Sequence, residues 1–198
     1  MRRLMITQWC HERIRQLMPA PRRCLDATAG TGRDTLFLCK LAGKDRDIIA
    51  MDIQEEALEQ TGERLLKEGC REGVRLIHDG HEHMDKYAGP GTLDLVMFNL
   101  GYLPGGDHNK ATKPETTCEA LTKSLTLLRE GGLLSVLIYS GGDSGFEEKD
   151  AVLAWAAGLE SAKYLAISEA FCNKPNHPPM PLFVLKLENN DIIYRNPE

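Results

Sequence analysis

Helical and extended hydrophobic periods alternate along this chain, and each switch between them predicts an element boundary. Residues 4–18 carry an amphipathic helical pattern that ends at Pro19, and residues 24–27 form a short apolar strand running into glycines. A helix over 33–42 is stopped by Gly43, a strand covers 48–52, and a second amphipathic helix over 55–67 is stopped by Gly69. Strands follow at 74–78 and 93–98, then a helix over 114–129 ended by Gly131 and Gly132, and a strand at 133–139. The pattern closes with a helix over 146–159 and strands at 164–171 and 182–187, which flank the proline-rich loop 173–181. The tail, 189–198, either adds a short strand or frays.

Strand and helix alternate up to the last two strands, an order that builds a parallel sheet covered by helices on both faces. The final two strands have no helix between them, so they pair antiparallel. The expectation is one α/β domain over 1–198, an N-terminal helical segment over 1–20, and a mostly parallel seven-stranded sheet with an antiparallel C-terminal strand. Ligands of such sheets bind at the carboxyl ends of the strands. The polar clusters of this sequence fall there.

Composition narrows the function classes. Hydrophobic residues at 42% and charged residues at 27% are ordinary for a folded domain. The longest apolar run, 133–139, is far short of a bilayer span, and the start lacks a secretory apolar region, so a cytoplasmic location is expected. Cysteines at 10, 24, 39, 70, 118 and 172 form no C-x-x-C pair, which argues against a zinc knuckle or a disulfide framework. A net charge of −5 disfavours non-specific nucleic-acid binding. Arg2, Arg3, Arg13, Arg15, Arg22 and Arg23 still concentrate positive charge early in the chain, as a solvated helix face or a phosphate-contacting surface.

The first chemical signal is D-A-T-A-G-T-G over 26–32, where a strand ends and a helix begins. Gly30 and Gly32 let backbone approach a ligand, and the helix start offers unpaired N–H groups. About twenty residues later Asp52 closes the next strand, placed to accept from both hydroxyls of a ribose. Thr35 stands where a dinucleotide fold wants a third glycine, and an acid at 26 suits an ammonium group better than a pyrophosphate. S-adenosylmethionine is therefore favoured over a dinucleotide. Asp79 follows the third strand, placed either to hold an adenine amino group or to cap the next turn. His78, His81, His83 and Asp85 include an H-x-H-x-D spacing known from zinc hydrolases. Lys86 occupies the position of the next histidine such a site needs, so no metal site is assigned. His81 is instead expected beside the cofactor, with the others facing solvent on a short helix.

Together D-A-T-A-G-T-G-R-D-T-L-F-L, M-D-I-Q, H-D-G-H-E-H-M, F-N-L-G-Y-L-P-G-G-D-H and P-P-M-P-L-F-V-L-K-L-E closely resemble the YtqB/MnmM-type family of bacterial rRNA and tRNA methylases, over roughly residues 6–188. The resemblance implies a class I S-adenosylmethionine-dependent methyltransferase of Rossmann-like fold, a homodimer acting on tRNA. Its reaction would methylate the amine of 5-aminomethyl-2-thiouridine at the wobble position. By motif match the cofactor would be held by Asp26, Gly30, Gly32, Asp52, Gln54, Asp79, His81 and Asn99, with Thr28, Asp34, Ile53 and Gly80 beside them. One departure stands out: Gly142 replaces the histidine that many members carry after the fifth strand.

Asn99 and Tyr102 share the N-x-x-Y spacing of amino-methylating enzymes, with Leu100 and Gly101 in place of the usual prolines. An amine nucleophile needs its lone pair aimed at the methyl group, and the Asn99 carboxamide oxygen and Leu100 carbonyl can hold its N–H groups while Tyr102 stacks on the base. Asp107, Asp143 or Tyr139 are the candidate proton acceptors, with His108 returning over the pocket. Other readings are an rRNA or small-molecule amine methyltransferase, and a module that binds S-adenosylmethionine or a nucleotide without catalysis.

Overall fold

The computed structural model describes residues 5–100, 114–139, 145–175 and 178–188. Its elements run α1 (Ile6–Leu17), β1 (Arg23–Asp26), α2 (Arg33–Ala42), β2 (Asp47–Asp52), α3 (Glu55–Lys67), β3 (Val74–His78), a 3-10 helix (His81–Lys86), β4 (Leu93–Leu100), α4 (Pro114–Leu127), β5 (Leu128–Ile138), α5 (Gly145–Ala157), β6 (Tyr164–Ser168) and β7 (Met180–Lys186). One seven-stranded sheet has the order β3-β2-β1-β4-β5-β7-β6. β7 runs against both of its neighbours, β5 and β6. Strand order reverses between β1 and β4, which places the ligand crevice at their carboxyl ends.

Strand side chains alternate between two cores, as a two-residue period requires. Leu25, Ile49, Val96, Phe98, Leu134 and Val184 face one way, against Leu121 and Leu125 of α4, Val152 of α5 and Met84 of the 3-10 helix. Cys24, Ile48, Leu95, Met97, Leu133 and Phe183 face the other way, against Ile14 of α1, Phe37 and Leu38 of α2, and Leu58 and Leu65 of α3. On β4 this alternation carries Asn99 to the face covered by α1 and α2.

Boundaries differ from expectation where distant residues decide them. The helix expected to reach Arg129 stops at Leu127, and Leu128 already pairs with Leu93 of β4. Lys186 of β7 reaches back to the carbonyls of Leu125 and Leu128, at 2.8 and 2.7 Å, and satisfies the helix end. Gly131, at φ +71°, turns the chain before pairing resumes at Leu95 and Leu133. The strand expected over 164–171 ends at Ser168, because Glu169 turns to receive Trp9 Nε1 and, at 2.7 Å, Arg13 Nε from α1. β7 begins at Met180, earlier than expected, and takes in Pro181, whose carbonyl accepts the Glu169 N–H at 2.9 Å. Among the described residues no helix is long and apolar enough to cross a membrane. Cys10, Cys24, Cys39 and Cys70 are buried thiols, as expected of small apolar residues; Cys118 is half-buried and Cys172 exposed.

Candidate active site

The glycine loop is held from three sides. Gly30 donates its N–H to Asp52 Oδ2 at 2.8 Å and receives the Thr61 hydroxyl on its carbonyl at 3.0 Å. Arg64 Nε donates to the Thr31 carbonyl at 2.5 Å. Gly30 and Gly32 have φ of +51° and +76°, and a Cβ at Gly32 would lie 2.9 Å from the Thr61 Cα. A Cβ at Gly30 would meet only the Thr28 carbonyl, at 3.9 Å, so that glycine faces open space. The loop is therefore built to let something approach its backbone.

Asp52 stands at the carboxyl end of β2. Its Oδ1 accepts the Gln54 N–H at 3.0 Å, so each carboxylate oxygen has spent one acceptor position and retains another. Two adjacent ribose hydroxyls fit what remains. Ile53, 49% exposed, adds an apolar surface beside it. This pair of acceptor oxygens suits the ribose of S-adenosylmethionine. A buried polar atom adds to this, since His81 Nε2 has no hydrogen-bond partner while the ring packs edge-on against Phe98 at 5.7 Å. Burial holds this imidazole below its usual pKa and hence neutral.

Asp26, expected beside the ligand's ammonium, ends β1 directly before the loop. It is fully enclosed; Oδ1 accepts the Thr28 N–H at 3.2 Å and Oδ2 the Thr35 hydroxyl at 2.6 Å. Burial and the neighbouring Asp34 push its carboxyl up to about 7. It shapes the loop from within. Asp79 is likewise engaged by its own surroundings: it accepts from Gly80 N–H at 2.8 Å, His83 Nδ1 at 2.6 Å, Lys86 Nζ at 3.3 Å and Tyr87 hydroxyl at 2.8 Å. These donors hold its carboxyl well below the usual range, His83 first among them. His78 pairs with the Ile53 carbonyl at 3.0 Å. The three histidines thus have three separate surroundings, and among the described residues no group of three or more His, Cys, Asp or Glu is placed to hold a metal ion.

Asn99 ends β4 beside the loop. Its main-chain N–H donates to Thr28 Oγ1 at 2.8 Å, and its Nδ2 to Asp34 Oδ2 at 3.0 Å. Asp34 Oδ1 meets His11 Nε2 at 2.7 Å, and the His11 ring lies flat on Phe37, with centroids 3.8 Å apart and planes 1° from parallel. Arg15, one turn on, covers Phe37 too, 4.9 Å from its centroid. A small cavity under α1, lined by Cys10, His11, Asp34, Met97 and Ser135, adjoins this cluster. Nothing in the sequence pattern marks His11, on a first helix whose only expected chemistry is that of its arginines.

Leu100 is buried in the sheet opposite Ile138, its side chain in the core. Tyr139 just follows β5; burial, with Asp34 and Cys10 nearby, pushes its phenol above the usual pKa. Tyr102, Asp107, His108, Gly142 and Asp143 lie outside the described residues. Of the early arginines, Arg13 pairs with Glu169, Arg15 with Glu12 and Arg23 with Asp47.

A parallel sheet reversing between β1 and β4, a glycine loop after β1 and an acid ending β2 define a class I methyltransferase, a fold whose members take their methyl group from S-adenosylmethionine. The family model "Putative rRNA methylase" matches residues 48–185, and the chain belongs to this family. Over 193 residues it is 33% identical to the chloroplastic tRNA (mnm5s2U34)-methyltransferase of Arabidopsis thaliana, spanning 92% of this chain and 70% of that one. The crystal structure of a "putative rRNA-methylase" from Clostridium thermocellum superposes with a TM-score of 0.88 at 40% identity, covering 94% of this chain and all of that one. A methyltransferase from Streptococcus mutans, crystallised with SAH, superposes with a TM-score of 0.82 at 35% identity and covers the same shares.

Proposed function

We propose that this chain transfers a methyl group from S-adenosylmethionine to the primary amine of 5-aminomethyl-2-thiouridine at the wobble position of tRNA. The observation that carries the reading is Asn99, fixed by Thr28 and Asp34 at the end of β4, next to the glycine loop. The bound cofactor supplies an already activated methyl group, so the chain's task is to orient and desolvate the nucleophile. Gly30 and Asp52 hold the adenosine end, and Asp26 supports the loop from within. The Asn99 carboxamide and the Leu100 carbonyl accept the N–H groups of the substrate amine and aim its lone pair. The amine nitrogen bonds to the methyl carbon as the carbon–sulfur bond breaks and sulfur keeps the pair. The proton lost from nitrogen goes to Asp107, Asp143 or Tyr139, while Tyr102 stacks on the base. The active form is a homodimer, in which arginines of two subunits serve one RNA surface, and it works in the cytoplasm.

The test is nucleoside mass spectrometry on tRNA lacking the modification, incubated with the purified protein and labelled S-adenosylmethionine. Label in 5-methylaminomethyl-2-thiouridine is expected; label in no tRNA nucleoside overturns the reading. Asn99→Ala should lower turnover by roughly 100-fold while S-adenosylhomocysteine still binds. The internal pairing of Arg13, Arg15 and Arg23 favours one other reading, a small-molecule amine acceptor. That reading requires a small-amine reaction that excess tRNA does not inhibit.

A further inference from the structure

We infer that His11 and Asp34 form a positioning pair that sets which way the Asn99 carboxamide faces, a role that rests on the proposed part of Asn99 in amine methylation. A carboxylate only accepts hydrogen bonds, so the Asn99 atom 3.0 Å from Asp34 Oδ2 is the amide nitrogen. The amide oxygen is thereby turned away from Asp34. An amine nucleophile needs an acceptor there; a flipped amide would present N–H groups and repel its hydrogens. Asp34 is itself fixed from its other oxygen, where His11 Nε2 approaches to 2.7 Å and, facing a carboxylate, carries the hydrogen. Stacking on Phe37 locks the imidazole plane. With Asp34 only 9% exposed, little water competes for these bonds. His11 touches no reacting atom and acts through Asp34.

The experiment compares the full-length protein with His11→Ala, His11→Gln and Asp34→Asn. Glutamine places an amide N–H near the position of the imidazole Nε2–H, whereas alanine leaves Asp34 loose. Two readouts are taken: the Asn99 side-chain NH2 pair in 15N-resolved NMR, and methyl transfer to tRNA with its kcat and KM separated. In the native protein one Asn99 amide proton should be shifted downfield and protected from exchange. His11→Ala and Asp34→Asn should both lose that signature and lower kcat about tenfold, and in His11→Ala the KM for tRNA and the affinity for S-adenosylhomocysteine should be unchanged. His11→Gln should restore both. Equal loss in His11→Ala and His11→Gln would show that ring packing on Phe37 is what matters and overturn the inference; so would an Asn99 signal unaltered in Asp34→Asn. If the native protein methylates no tRNA, the substrate reading fails alone, because the amide spectrum still decides the orientation.

Discussion

Carboxylates at the mouth of this sheet do different work according to what surrounds them. Asp52 keeps acceptor capacity for a ligand, Asp79 is filled by four donors, and Asp26 is enclosed. Enclosure gives Asp26 a measurable signature. The folded chain favours its neutral form up to about 7, while in the unfolded chain it ionises in the ordinary carboxylate range. Between those values the native state holds a proton that the unfolded state has released, so this residue's contribution to stability falls as pH rises and levels off above about 7. Urea unfolding at a series of pH values should show that decline in the ligand-free protein, and Asp26→Asn should flatten it. A slope unchanged by the substitution would mean the carboxyl is ionised throughout.

Elements here are legible in the sequence to the extent that local chemistry decides them. The glycine loop and the acid ending β2 stood out because both signals lie within a single strand-helix-strand unit, and Gly32 shows why glycine is required. Gly32→Ala would force an alanine to φ +76° with its Cβ against Thr61, so a loss of about 1–3 kcal/mol and weaker cofactor binding are expected by thermal unfolding and calorimetry. Less legible were the features set by residues far apart in the chain. Nothing near Leu127 announces that Lys186 will take up its last carbonyls, and nothing near Ser168 that Trp9 and Arg13 will claim Glu169. His11 belongs to this class. On a helical wheel it is one polar position on an amphipathic helix, and it acquires meaning only when α1 lies over β4 and β5. The setting of Asp26 is of the same kind, since its distance along the chain from the glycines is local while the direction of its side chain is set by Thr35 on α2.

The molecule as a whole is a sheet filled from both faces, and its stability resides in strands shared by two cores. Leu134 on β5 is fully buried between β4 and β7, so Leu134→Ala should cost about 2–5 kcal/mol in urea unfolding, with the fold retained at low temperature. Ligand linkage supplies a complementary check. S-adenosylhomocysteine at 100 times its Kd should add about 2.7 kcal/mol and raise Tm by roughly 5–10 °C; no shift would remove the cofactor assignment. The position of β1 has a consequence for how the chain is made. β2 and β3 can zip onto one side of it as soon as they emerge from the ribosome, but its other side belongs to Leu93–Leu100, synthesised much later. Until then the nascent half-sheet offers a bare edge, open to pairing with strands of neighbouring chains. The strand that brings Asn99 to the glycine loop is also the one that covers this edge of β1, so the two halves of the site meet only when that edge is closed.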